Sequence, residues 1–130
     1  MSLLRRREMM AEMEQEENVL YIYSGYLYVN GNVNDEPAFN SQYPNSVCSS
    51  VFPLKAGEAY TVTYSNATSR AARLYYPDGN YRATAYSWNV QGTAVDGYVR
   101  LLGNQGAEIT GMKIRKEDGT EIDYKIVDRR

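Results

Sequence analysis

Apolar and polar residues alternate in short runs along most of the chain after residue 17. In "EAYTVTYS" the alternation places Tyr60, Val62 and Tyr64 on one face. In "GYVRLLG" it places Val99 and Leu101 on one face and leaves the tyrosine and arginine of that run on the other. A period of two residues is typical of a strand that is buried on one side. The pattern therefore predicts an all-β body.

The run "GMKIRKEDGTEIDYKIV" predicts a hairpin with strands at about 109–116 and 120–127. Its loop would be Glu117–Gly119, with Gly119 in the left-handed conformation that such loops require. Only one register aligns both the apolar and the oppositely charged residues, and a slip by one residue would lose both. The predicted pairs are Ile114 with Ile122, Met112 with Tyr124, Arg115 with Glu121, and Lys113 with Asp123.

A second hairpin is predicted in "RLYYPDGNYRAT". Pro77 suits the first turn position and Gly79 the left-handed one. Neither face of this hairpin is cleanly apolar, so the pattern does not decide which face is buried. The predicted pairs are Tyr75 with Tyr81 and Leu74 with Arg82.

The stretch 19–34, "VLYIYSGYLYVNGNVN", contains four tyrosines. Alternation separates them from aliphatic residues, which form the natural core face. Tyr fits a half-buried pleated surface, and it also suits a partner interface. Asn30-Gly31 predicts a turn joining Tyr26–Val29 to Asn32–Asn34, although Ser24-Gly25 could instead fold Val19–Tyr23 back on Tyr26–Val29. The predicted faces are Leu20, Ile22, Leu27 and Val29 on one side, and Tyr21, Tyr23, Tyr26 and Tyr28 on the other.

Residues 34–46, "NDEPAFNSQYPNS", have two prolines and no period, which predicts a loop that crosses between sheets. The whole pattern then contains about eight or nine short strands. It favours an antiparallel two-sheet, jelly-roll-like β-sandwich over a single closed sheet. We expect this domain to occupy residues 18–130.

The preceding segment, "SLLRRREMMAEMEQEE", contains strong helix formers and no Gly, Pro or aromatic residue. It predicts a short helical arm, residues 1–17, with Ser2 as its N-cap. Arginines near its start and glutamates near its end oppose the helix dipole, each at about 0.3–1 kcal/mol when exposed. The segment is therefore either a frayed tail or a docking arm that contacts other groups. The contact residues of the arm would be Leu3, Leu4, Arg5, Arg6, Arg7, Met9, Met10 and Met13.

The amino-acid composition limits the kinds of catalytic and metal-binding sites that the chain can form. The chain has no histidine, which removes the commonest general base and the usual nucleophile–histidine pairs. Cys48 is the only cysteine, which excludes an internal disulfide and a multi-cysteine zinc site. The carboxylates lie mostly beside turns or among basic residues. We therefore expect no catalytic, metal or cofactor site, and no enzyme.

Net charge and hydropathy limit the classes of partner that we expect for this chain. The first 17 residues carry three arginines and five glutamates, which leaves 11 basic and 11 acidic residues in the body. The body thus lacks the basic excess of a nucleic-acid-binding protein. No apolar run approaches the roughly 20 residues that cross a bilayer. We expect neither a nucleic-acid nor a membrane partner.

Four motifs in order resemble a β-sandwich module of structural proteins from tailed phages and prophages of Gram-positive bacteria. They are "GYLYVNG", "PLKAGEAY", "YPDGNY" and "YVR", at 25–31, 53–60, 76–81 and 98–100. The start "SLLRRREMM" is also similar to the N-termini of small phage structural proteins. The module usually lies within long fibre or baseplate chains, whereas here it stands nearly alone. The resemblance therefore implies a small virion structural or accessory (decoration) subunit, assembled in the bacterial host cytoplasm and bound to other virion subunits or to copies of itself.

The alternative function is a carbohydrate-binding module that recognises a cell-surface glycan. Its platform would combine Trp88 with nearby tyrosines and polar side chains, because aromatic rings stack on sugars. A sandwich commonly buries a single Trp, and the core position is the favoured one for Trp88. The candidate glycan contacts are Arg73, Tyr75, Asn80, Tyr81, Tyr86 and Trp88.

Overall fold

The computed structural model describes residues 18–24, 26–27, 33, 38–39, 46–67, 69–91, 96–104 and 107–129. This part of the chain contains ten β-strands and no helix. The strands are β1 (Val19–Ser24), β2 (Tyr26–Leu27), β3 (Ala38–Phe39), β4 (Val47–Leu54), β5 (Ala59–Ser65), β6 (Arg70–Tyr75), β7 (Tyr81–Ala85), β8 (Gly97–Gly103), β9 (Glu108–Arg115) and β10 (Glu121–Asp128). The predicted all-β class is confirmed.

Eight strands form one sheet in the order β5-β9-β10-β1-β4-β8-β6-β7, and β2 pairs with β3 separately. The sheet is mixed, because β1 runs parallel to β10 with Val19 opposite Lys125. The prediction of a wholly antiparallel arrangement was wrong at this one pair. Hairpins force antiparallel neighbours, but β1 and β10 lie near opposite ends of the chain and no hairpin joins them.

The sheet curls until its first edge meets the chain that follows its last strand. Tyr60 of β5 and Val90 exchange two backbone hydrogen bonds, with N–O distances of 3.1 and 3.2 Å. The Val62 amide also donates to Asn89 Oδ1 at 2.9 Å. Hydrogen bonds therefore link the eight strands continuously, and the predicted division into two sheets is not confirmed.

The hairpin of β9 and β10 has the predicted register at all four predicted pairs. Gly119 has a φ of +86°, as its loop requires. Arg115 lies 3.2 Å from Glu121, and Lys113 lies 3.6 Å from Asp123, on the exposed side. The apolar pairs and the charge pairs within the hairpin thus specify its register without contacts from the rest of the chain.

The hairpin of β6 and β7 is confirmed at Tyr75 and Tyr81, and Gly79 has a φ of +93°. The other predicted pair is wrong, because Leu74 lies opposite Ala83 rather than Arg82. A register shift between Leu74 and Tyr75 places one extra residue in β7. Such a bulge is not visible in an alternating pattern.

The N-terminal strands only partly follow the prediction. Leu20 and Ile22 are buried, whereas Tyr21 and Tyr23 are half-buried, so the aliphatic face is the core face in β1. β2 pairs with β3, inside the predicted 34–46 loop, and β1 pairs with β4 and β10 rather than folding back on β2. The Asn30-Gly31 turn lies outside the described residues.

The concave side of the curled sheet holds the core. Its aromatic members make edge-to-face contacts, and Trp88 also makes one with the half-buried Tyr64, with centroids 5.1 Å apart. The buried residues of this cluster are Leu20, Ile22, Val47, Phe52, Leu54, Tyr60, Val62, Ala72, Trp88, Val99, Leu101, Ala107, Ile109, Met112, Ile114 and Tyr124.

Candidate functional site

One end of the sheet gathers the first described residue and three turns. β1 begins there because it is antiparallel to β4, whose last residue, Leu54, pairs with Gly97. The turn 55–58 leads from β4 into β5, and the side chain of Glu117 in the turn 116–120 lies against Gly57 of this turn. We call this the arm end, defined by Asn18 and the turns 55–58, 76–80 and 116–120.

A groove opens at the arm end on the convex face of the sheet. Pro53 of β4 pairs with Tyr98 of β8, and both project away from the core because their neighbours Phe52 and Val99 are buried in it. The hairpin tip at Pro77 forms the opposite wall. The groove has a volume of about 380 Å³ and continues into a smaller hollow of about 140 Å³. It is lined by Val33, Val51, Pro53, Pro77, Asp78, Gly79 and Tyr98.

Proline is tolerated in β4 for a local reason. Among the described residues, β4 pairs with β1 only at Val47, Cys48 and Ser49, so in this part of the structure Pro53 pairs with β8 alone. A residue without an N–H suits such a position. Pro53 therefore presents a rigid apolar wall to the groove from a strand that pairs on one side among the described residues.

Two exposed carboxylates stand at the rim of this groove. Asp78 accepts a hydrogen bond from the Asn80 amide at 2.9 Å, and it lines the larger hollow. Asp96 accepts one from the Ala56 amide at 2.9 Å and lines the smaller hollow. Turn geometry therefore holds both negative charges at the groove, together with the positive charge of Lys55.

The arm end as a whole is acidic. Among the described residues its turns carry four carboxylates against two lysines, and Asp96, just before β8, adds a fifth carboxylate. Backbone and side-chain hydrogen bonds from Thr120 lower the pKa of Asp118, so this carboxylate is ionised at neutral pH. The residues are Glu58, Asp78, Asp96, Glu117 and Asp118, with Lys55 and Lys116.

A second cluster covers the convex face beside the groove. Arg73 and Arg100 are directly paired across β6 and β8, and Arg100 is only 4% exposed. Arg100 Nη2 donates to the Val33 carbonyl at 3.3 Å. Burial raises the pKa of the Cys48 thiol to about 11 despite the nearby Arg100 guanidinium. A protonated, buried thiol is a poor nucleophile.

The structure does not assemble the candidate glycan contacts into one exposed platform. Trp88 and Tyr75 are each 1% exposed, so neither offers a ring face to a sugar. Trp88 Nε1 donates to the carbonyls of Ala71 and Leu102 at 3.2 and 3.0 Å, which confirms its favoured core position.

The remaining glycan candidates differ in their exposure. Tyr86 is 84% exposed, and Asn80 is exposed at the hairpin tip. Arg73 and Tyr81 are half-buried, with the guanidinium carbon 5.8 Å from the ring centroid. The Tyr81 hydroxyl is 2.7 Å from Thr84 Oγ1.

The contact residues predicted for the arm lie in residues 1–17, outside the described residues. The sequence pattern did not predict the groove, because Pro77 and Gly79 were predicted only as turn residues. Alternation could have placed Pro53 and Tyr98 on the faces opposite Phe52 and Val99. Nothing in the pattern indicated that β4 and β8 are neighbours, so the sequence could not show that Pro53 lies beside Tyr98.

The described residues contain no cluster of three or more His, Cys, Asp or Glu side chains placed to hold a metal ion. None of the described segments is a helix long and apolar enough to span a membrane. Comparison of the chain with protein-family models, with curated proteins and with solved structures gave no match.

Proposed function

We propose that this chain is a non-enzymatic structural or accessory subunit of a tailed-phage virion, held in the particle by its N-terminal arm. The observation that carries this proposal is the position of β1. The strand that directly follows the arm lies inside the sheet, between β4 and β10.

A central strand suits an anchored body. β1 is paired on one side through Ile22 opposite Ser49 and on the other through Val19 opposite Lys125. Asn18 itself accepts a hydrogen bond from the Lys125 amide at 2.9 Å. A pull on the arm would therefore be shared by two neighbouring strands, whereas an edge strand can be peeled away one hydrogen bond at a time.

The jelly-roll-like sandwich is part of this proposal. One wall would be β5-β9-β10 and the other β1-β4-β8-β6-β7, joined by the parallel pair. Support comes from Phe52, whose ring contacts Tyr60 at a centroid distance of 5.2 Å and Tyr124 at 6.2 Å. These contacts join residues on opposite sides of the proposed division.

The motifs of the phage resemblance also occupy regular elements. The stretch 53–60 runs from β4 through a turn with Gly57 at a φ of +83° into β5. The stretch 76–81 forms the tip of the β6–β7 hairpin, and 98–100 lies in β8. This placement of three of the four motifs supports the resemblance, because each of the three stands where its residue types have a structural use; the motif at 25–31 lies largely outside the described residues.

The partners in this proposal are other virion subunits or copies of the chain itself, met during assembly in the host cytoplasm. For the glycan-binding alternative, Trp88 and Tyr75 are buried and cannot contact a sugar. Its exposed candidates are Tyr86 and Asn80. We therefore place the virion role first.

Deletion of residues 1–17 tests the arm. The truncated protein should unfold cooperatively like the native one, but it should be monomeric by light scattering and absent from phage particles isolated from the producing cells. A variant with residues 2–17 in scrambled order, which keeps length and net charge, is the matched control and should also fail to assemble. Normal incorporation of the truncated protein would show that residues 1–17 are only a tail.

A further inference from the structure

We infer that the groove at the arm end of one copy binds residues 1–17 of a neighbouring copy, with Arg5, Arg6 and Arg7 against Asp78 and Asp96. This inference rests on the proposed function, in which the same segment is the assembly arm. It adds the surface that receives the arm. The contact it describes is between copies of one chain.

The location of the groove is the first reason. The segment leaves the described body at Asn18, at the same end of the sheet as the groove. β1 begins there, β4 ends there, and the hairpin tip carrying Pro77 and Asp78 lies there as well. Two copies that meet end to end would bring the arm of each to the groove of the other, which is the closed, two-fold arrangement commonest in oligomers.

The chemistry of the groove is the second reason. Its walls are Val51, Pro53, Pro77 and Tyr98, which suit the leucine and methionine side chains of the arm. Its rim carries Asp78 and Asp96, whose hydrogen bonds to turn amides hold the carboxylates in place. Arginine pairs well with carboxylates that are already oriented.

Charge complementarity is the third reason. Among the described residues the turns at the arm end and Asp96 together carry five carboxylates against two lysines, and the arm has three consecutive arginines near its start. The arm's own glutamates follow at Glu8 and beyond, so the two signs are separated along it. If the basic stretch meets the two carboxylates at the rim of the groove, the acidic part of the arm stays outside it.

A neighbouring copy is favoured over the same copy by chain length. The predicted helix runs to Glu17, so only Asn18 separates it from β1. Connections between helices and strands usually take about 2–6 residues. A predicted helix without such a connection would have no chain with which to reverse over its own convex face, so we assign the groove to the arm of a neighbouring copy.

Charge-swap mixing of full-length proteins tests this. One variant carries Arg5→Glu, Arg6→Glu and Arg7→Glu, and the other carries Asp78→Lys and Asp96→Lys. Each alone should be monomeric by light scattering. An equimolar mixture should assemble again, because each native or reversed arm then finds a groove of opposite charge on another copy. If the mixture stays monomeric while the native protein assembles, docking between copies at this groove is refuted.

A milder pair of variants distinguishes loss of docking from loss of folding. Asp78→Asn with Asp96→Asn keeps the acceptors of the two turns and should raise the dissociation constant of self-association by at least about tenfold at low salt. The matched control, Glu117→Gln with Asp118→Asn, makes the same charge change at the same end, away from the groove. It should change the constant by less than about twofold.

The outcomes separate the two proposals. If deletion of residues 1–17 abolishes assembly but Asp78→Asn with Asp96→Asn does not weaken it, the arm docks elsewhere and only this inference fails. If the control variant weakens assembly as much, the arm responds to the acidic end in general and the groove is not its site. If deletion of the arm changes nothing, the proposed function fails with it.

Discussion

The ring of Phe52 meets the ring of Tyr60 edge to face, with centroids 5.2 Å apart and planes at 79°. The two residues belong to strands β4 and β5, which are consecutive in the chain but have three strands between them in the sheet. Only a sheet that curls strongly brings them together. Aromatic pairs in this geometry add about 0.5–1.5 kcal/mol beyond the burial of their surface, so the contact helps to hold the curl.

The hydroxyl of Tyr60 is buried beside this contact and has no hydrogen-bond partner among the described residues. A buried polar group without a partner costs about 1–3 kcal/mol. Tyr60→Phe should therefore raise the free energy of unfolding by about 1 kcal/mol in urea denaturation. Tyr86→Phe is the control, because Tyr86 is 84% exposed and its hydroxyl is solvated in both states. A lower free energy of unfolding in Tyr60→Phe would show that the hydroxyl makes a stabilising hydrogen bond in the native protein.

Tyr124 tests which face of the final hairpin is buried. It is 8% exposed, and its ring contacts Phe52, whereas the next residue, Lys125, is exposed. Tyr124→Asp should lower the free energy of unfolding by at least about 3 kcal/mol, because it loses an aromatic ring and forces a charge inward. Lys125→Asp should change it by less than about 1 kcal/mol. Equal melting temperatures for the two variants would contradict this orientation.

Gly103 faces the indole of Trp88. A Cβ added there would lie 2.5 Å from Trp88 Cζ2 and 3.1 Å from Val47 Cγ2. Trp88 cannot withdraw easily, because its Nε1 is hydrogen-bonded to two carbonyls. Gly103→Ala should therefore cost about 1–3 kcal/mol of stability and shift the fluorescence of Trp88.

Gly111 provides the comparison for that variant. A Cβ at this position would meet only atoms of Thr63, at 3.9 Å, which is an ordinary contact. Gly111→Ala should be neutral or stabilising, since Gly weakens a strand interior. If both alanine variants unfold at the same urea concentration, the Trp88 side chain moves aside without a cost in stability, which contradicts the prediction.

The buried thiol predicts a dependence of stability on alkaline pH. Burial raises the pKa of Cys48 from 9.0 to about 11. Between these two pH values the unfolded protein has released the proton and the native protein has kept it, so the unfolded state binds fewer protons and stability falls as pH rises. The loss should begin above about pH 9 and reach about 2–3 kcal/mol by pH 11.

Cys48→Ala should remove this part of the dependence. The same burial raises the pKa of Tyr60, so the difference between native protein and variant is the quantity to measure by urea denaturation at several pH values. At pH 8 the native thiol should react with a thiol reagent only after unfolding. Rapid reaction of the folded protein would contradict the burial of Cys48.

The sequence alone determined the local units. The β9–β10 hairpin was predictable residue by residue, because Gly119 marks its loop and both charge and apolar pairs agree on one register. The pairing of Tyr75 with Tyr81 was predictable from the turn residues Pro77 and Gly79, whereas the pairing of Leu74 was not, because a register shift intervenes. Neighbours joined by a short turn have few alternatives, so turn chemistry and alternation suffice.

The tertiary structure alone decided which distant strands meet and which faces are covered. β1 lies between β4 and β10, and no local signal along the chain specifies that choice. Tyr75 and Tyr86 look alike in the sequence, yet one is 1% and the other 84% exposed. The candidate groove depends on the same long-range pairing, which brings Pro53 beside Tyr98. Alternation assigns a residue to one of two faces, but whether a face is buried depends on what packs over it, and that is set by contacts between residues far apart in the chain.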